Sequence, residues 1–82
     1  MRIDNAQLAA FAAVLGEGSF ELAARKLSVT PSAVSQRIKL LEDRLGQVLI
    51  QRSTPCRATA AGRRLLRHAE QVALLESEVL SE

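Results

Sequence analysis

Apolar side chains recur at helical spacing along most of this chain, and the stripes are separated by glycines and turn residues. Leu8, Phe11, Ala12 and Leu15 stand at i, i+3, i+4 and i+7, the stripe of a first helix. Asp4 or Asn5 can cap its start, with Gln7 three residues after Asp4 as in a capping box, and Gly16 and Gly18 end it. Ser19 caps a short second helix bearing Phe20, Ala23, Ala24 and Leu27, with Glu21 at the positive end of its dipole. The paired alanines let another helix approach closely and cross steeply. Leu27 to Thr30 form a tight turn. Thr30-Pro31 then starts a third helix, with Thr as N-cap and Pro where a missing N–H costs nothing. That helix spans 31–45 and stops at Gly46. Val34, Ile38, Leu41 and Leu45 mark its core side, and Ser32, Ser35, Gln36, Lys39 and Asp43 the opposite side.

The pattern changes after Gly46. Val48-Leu49-Ile50 reads as a short strand, and Pro55 bars regular structure from the loop that follows. A brief return at Arg57-Ala58 closes a hairpin, or wing, over 48–58. Thr59 caps a last helix that runs to about Leu80. Its stripe is Leu65, Leu66, Ala69, Val72, Ala73, Leu75, Val79 and Leu80. About twenty residues of helix extend roughly 30 Å, further than so small a core can cover. The remainder requires another surface, and a twofold-related copy is the simplest. The chain therefore divides into a helix-turn-helix unit at 1–58 and a dimerisation helix at 59–82.

Length and composition narrow the classes. Eighty-two residues with 48% apolar content make one small folded domain. A domain of this size buries only about 60% of its unfolded surface, so a partner chain helps to stabilise it. Phe11 and Phe20 are the only aromatics, which argues against base stacking on single strands. A single cysteine, Cys56, excludes an internal disulfide and fits a reducing cytoplasm. The longest apolar run, Leu8–Leu15, is too short to span a bilayer, and no basic segment precedes it as in a signal peptide, so no membrane partner is expected. One Cys and one His cannot make a zinc finger, and no cofactor is expected. Neither a phosphate-cradling glycine loop nor a nucleophile–base pair is present, so the chain does not read as an enzyme. Cys56 reads as an incidental thiol and His68 as a packed or surface side chain.

The net charge of +2 hides an uneven distribution. Residues 25–67 carry ten basic side chains against Glu42 and Asp43 alone, while both ends are acidic. A basic middle suits a polyanion. The helix-turn-helix gives that charge a mechanism. The N-terminus of the third helix offers free N–H groups and a positive dipole end to a phosphate, and its outward side chains reach base edges in the major groove. Gln36 can pair with adenine, Lys39 with guanine or a phosphate, and Arg52 and Arg57 can reach the minor groove or the backbone. Arg37 can instead pair with Glu42 or Asp43, and Arg63, Arg64 and Arg67 can touch flanking phosphates or, the reading the sequence favours slightly, simply be solvated. The competing reading is a helical protein-interaction module that assembles chains without touching DNA.

The run from Phe20 to Gly46 resembles the LysR-type transcriptional regulators. It carries that family's Ser19-Phe20, Ala23-Ala24, Ser32-Ala33-Val34-Ser35, Ile38, Leu41-Glu42 and Leu45-Gly46. Leu49, Arg52 and Thr59-Ala60-Ala61-Gly62 match its wing and linker-helix start, so the resemblance covers nearly the whole chain. Within the family, Ser32–Leu41 is most like the subgroup controlling lysine and arginine export. The resemblance implies a mainly α, winged helix-turn-helix fold: a three-helix core, a short β-hairpin wing and a long C-terminal linker helix. It implies a homodimer on an inverted-repeat DNA operator in the bacterial cytoplasm, at the nucleoid. Higher oligomers, and a small effector such as lysine or arginine, are implied only through a further domain that this chain lacks. Carried over by position, Pro31, Ser32, Ser35, Gln36 and Arg52 read bases, and Thr30, Arg37, Lys39, Ser53 and Thr54 hold phosphates. Leu65, Leu66, Ala69, Val72, Ala73, Val79 and Leu80 form the dimer seam. The chain departs from the pattern at four places. Many members have Gln where Pro31 stands, Pro at Ser32 and Arg at Gln36, and the family usually has Leu at Ala58.

Overall fold

Three of the four helices begin on an extended residue whose side chain satisfies free N–H groups of the first turn. In the computed structural model, which describes residues 4–80, Asp4 accepts from Ala6 and Gln7 at 2.8 and 3.2 Å to start α1 (Asn5–Glu17). Ser19 accepts from Leu22 at 3.1 Å to start α2 (Phe20–Leu27), and Thr30 from Ala33 at 3.1 Å to start α3 (Pro31–Leu45). Each of these helices ends on a left-handed residue, Gly18, Ser28 or Gly46. Gly16, expected to help end α1, lies inside it. Ser28 is the turn of the helix-turn-helix, and its positive φ of 57° is unusual for a residue with a Cβ.

Beyond Gly46 the chain forms a two-stranded antiparallel wing, β1 (Ile50–Gln51) and β2 (Arg57–Ala58), with Ile50 opposite Ala58 and Gln51 opposite Arg57. The strand begins later than the expected Val48. The backbone of Leu49 is already committed elsewhere: its N–H goes to Glu42, and its carbonyl accepts from Thr59 N at 3.0 Å. The last helix, α4 (Ala60–Leu80), starts at Thr59. That hydroxyl accepts from Gly62 N at 3.0 Å and donates to the Val48 carbonyl at 2.7 Å, capping α4 and closing the base of the wing together.

The core lies among α1, α2 and α3, with Phe11, Val14, Val34, Ile38, Leu41 and Leu49 fully buried at its centre. Ala23 and Ala24 are also buried, as their small size at the helix crossing predicts. The face of α1 differs from expectation. Ala10, Phe11, Ala13 and Val14 are its buried residues, while Leu8, Ala12 and Leu15 are only half-buried. The reason is position: α1 packs against α2, α3 and α4, so its covered surface is wider than one stripe. Only the first turns of α4 join this core, through buried Gly62 and Leu65 with Ala61 and Leu66 packed beside them. The rest of the helix, roughly 30 Å long in all, leaves Leu74, Leu75, Val79 and Leu80 exposed.

Candidate nucleic-acid interface

Helical spacing places Ser32, Ser35, Gln36 and Lys39 along one side of α3. Val34, Ile38 and Leu41 anchor the other side in the core. Pro31, Ser32, Gln36 and Lys39 are exposed, and Ser35 is half-buried. Thr30, also exposed, has its hydroxyl engaged as the N-cap. Lys39 Nζ lies 3.8 Å from Asp43 Oδ2, with both side chains largely in solvent. A pair this exposed is worth at most about 1 kcal/mol and yields readily to a phosphate. Arg37 is half-buried and makes no ion pair among the described residues.

Glu42 does not pair with Arg37. Its Oε2 instead accepts the N–H groups of Leu49 and Ile50 at 2.8 and 3.4 Å, joining the last turn of α3 to the first wing strand. The wing is therefore braced against the helix that carries the exposed polar side. This role was invisible in the sequence, where Glu42 read as one acid in a basic segment.

The wing loop is tied to the corner between α1 and α2 as well. Cys56 N donates to the Gly18 carbonyl at 2.9 Å, and a Cβ on Gly18 would come within 3.1 Å of Pro55. Ser53 Oγ donates to the Pro55 carbonyl at 2.8 Å, and Thr54 is exposed beside it, joined to Pro55 by a cis peptide. Arg52 lies with its guanidinium 4.3 Å from the centroid of the Phe20 ring. Arg63, for which the sequence favoured plain solvation, donates from Nη1 to the Ala58 carbonyl at 3.4 Å and so leans on the second wing strand. Arg57, Arg64 and Arg67 are exposed.

The expected dimer residues separate into two groups. Leu65 is 8% exposed and Leu66 half-buried, both on this domain's own core. Further along, Val72, Ala73 and Glu76 of α4 face Leu8, Ala9 and Ala12 of α1 across an open groove of about 360 Å³. Leu8, which also packs against the core, and Ala12 thus line this groove. Ala69 also lines this groove, and Val79 and Leu80 are exposed beyond it.

This geometry meets known proteins at both the sequence and the fold level. The description "Bacterial regulatory helix-turn-helix protein, lysR family" matches residues 6–63. The chain belongs to the LysR family. This LysR-family chain is 64% identical, over 81 residues, to the HTH-type transcriptional regulator LysG of Mycobacterium tuberculosis, covering 99% of the chain and 27% of that protein. It is 55% identical over 76 residues to the regulator ArgP of Pseudomonas aeruginosa, covering 93% of the chain and 25% of that protein. The chain thus spans about a quarter of the length of these curated relatives. Among solved structures, full-length LysG of Corynebacterium glutamicum with bound effector Arg superposes at a TM-score of 0.91 and 44% identity, over 95% of this chain and 27% of that one. The BenM DNA-binding domain in complex with catB site 1 DNA superposes at 0.87 and 32% identity, over 99% of this chain and 89% of that one. The LysR fold carries the expected winged helix-turn-helix, with a three-helix core, a small wing and a long last helix. No helix among the described residues is long and apolar enough to cross a membrane.

Proposed function

We propose that this LysR-family domain binds double-stranded DNA sequence-specifically as a dimer, at an inverted repeat. The observation that carries the reading is the exposed polar side of α3, capped at Thr30 and backed by a fully buried opposite face. Its likeness to a domain solved on DNA supports it, and favours it over a purely assembling module. In this reading Pro31, Ser32, Ser35 and Gln36 sit at base edges in the major groove, with Arg52 at the adjacent minor groove. Thr30, Arg37, Lys39, Ser53 and Thr54 hold phosphates and set the register.

Two domains pair through α4. The exposed stretch from Ala73 to Leu80, with half-buried Val72 and the groove beside Leu8 and Ala12, supplies apolar surface that this domain cannot cover itself. The parent protein acts as a transcription regulator in the bacterial cytoplasm, at the nucleoid, and forms higher oligomers. A further domain of that parent takes a basic amino acid, arginine or lysine, as effector. The likeness to LysG, solved with bound Arg, supports this assignment.

The test is selection by the 82-residue chain from a pool of randomised duplexes. Enrichment of a two-armed inverted repeat with arms about one helical turn apart is expected. Recovery of sequences with no common pattern would refute sequence-specific binding.

A further inference from the structure

Arg52 is exposed on the wing, and no carboxylate pairs with it among the described residues. Its guanidinium lies over the face of Phe20, 4.3 Å from the ring centroid. The ring itself is well held. Phe20 opens α2 directly after the Ser19 cap, is half-buried, and packs against the core. The other end of the wing loop is fixed at the same corner, where Cys56 N donates to the Gly18 carbonyl at 2.9 Å.

The chemistry of this contact differs from that of an ion pair. A carboxylate would occupy two of the five guanidinium donors and cancel the charge. An aromatic face attracts the cation through its quadrupole and leaves every N–H in the guanidinium plane free. A long, rotamer-rich side chain is thereby ordered while its charge and donors stay available to an anion.

We propose that Phe20 is a positioning residue for DNA binding: its ring orders the Arg52 guanidinium on the wing before DNA arrives. The proposal rests on the DNA-binding reading above and assigns part of its affinity to a side chain that need not touch DNA. Preorganisation lowers the ordering cost at the moment of binding. An exposed cation–π contact of ordinary strength corresponds to about two- to fivefold in affinity.

The experiment is a mutant cycle on the 82-residue chain, titrated against the duplex it selects and a scrambled duplex. Phe20→Leu is expected to weaken binding to the selected duplex about two- to fivefold, while Phe20→Tyr, which keeps the π face, stays within about twofold of wild type. In the Arg52→Ala background Phe20→Leu is expected to cost nothing more. The salt slope falls with Arg52→Ala and is unchanged by Phe20→Leu, because the charge remains. Equal losses from Phe20→Leu in both backgrounds would make the ring merely structural and overturn the proposal. Tighter binding by Phe20→Leu would overturn it too, since the ring would then withhold Arg52 from DNA. Proton NMR of wild type gives a readout independent of folding in the variants. Upfield-shifted Arg52 side-chain protons support the stack, and random-coil shifts overturn it. Wild type that does not distinguish the two duplexes refutes the sequence-specific DNA-binding reading on which the proposal rests, and the proposal falls with it. A wild type that discriminates but shows no coupling refutes the Phe20 role alone.

Discussion

Glu42 Oε2 accepts the backbone N–H of Leu49 at 2.8 Å, so the last turn of α3 holds the start of the wing. A charged acceptor serving buried backbone contributes more than an ordinary hydrogen bond. Glu42→Ala leaves the N–H groups of Leu49 and Ile50 without this partner. It is expected to cost about 2 kcal/mol of folding stability, measured by urea denaturation.

Gly62 is the second brace. It is buried in α4, and a Cβ there would collide with the Leu49 carbonyl, which is backbone and already accepts from Thr59. Gly62→Ala is expected to cost about 2 kcal/mol and to lower the thermal midpoint by roughly 10 °C. An unchanged midpoint would mean that α4 can slide away from the wing.

Local chemistry made most of the fold legible in the sequence. Asp4, Ser19, Thr30 and Thr59 were readable as caps because each acts within three residues of its own position. The core side of α3 was readable because only one side of that helix is covered. The buried face of α1 was legible only in part: Phe11 stood in the expected stripe, but Ala10, Ala13 and Val14 did not, since three helices cover this helix and a wide buried surface leaves no single stripe. Glu42 with Leu49, and Arg52 with Phe20, depend on chain reversals that bring separate elements together. No spacing rule within one element foretells such contacts. The polar side of α3 was visible as a candidate interface, whereas the bracing that orients the wing against it was not.

Val72 lines the groove between α1 and α4, next to Glu76 one turn further on. Val72→Glu places a second carboxylate beside Glu76 on a largely apolar surface. Light scattering is expected to give the dimer mass for wild type and the monomer mass for the variant, with helical content by circular dichroism unchanged. A variant that remains dimeric would remove α4 from the proposed seam.

Lys39 reaches solvent at the polar side of α3, paired only loosely with Asp43. As a phosphate contact it acts alike on every sequence. Lys39→Ala is expected to weaken binding to selected and scrambled duplexes by similar factors, and to reduce the salt slope by about 1.

Gln36 carries the central claim, because it is exposed on α3 and is the residue there best suited to a bidentate contact with adenine. The decisive measurement is the ratio of affinities for the selected and the scrambled duplex, for wild type and Gln36→Ala, at two salt concentrations. Loss of a base contact should shrink that ratio by about 5- to 150-fold, at about 1–3 kcal/mol, and leave the salt slope unchanged. A ratio unaffected by Gln36→Ala would contradict base readout by this face of α3.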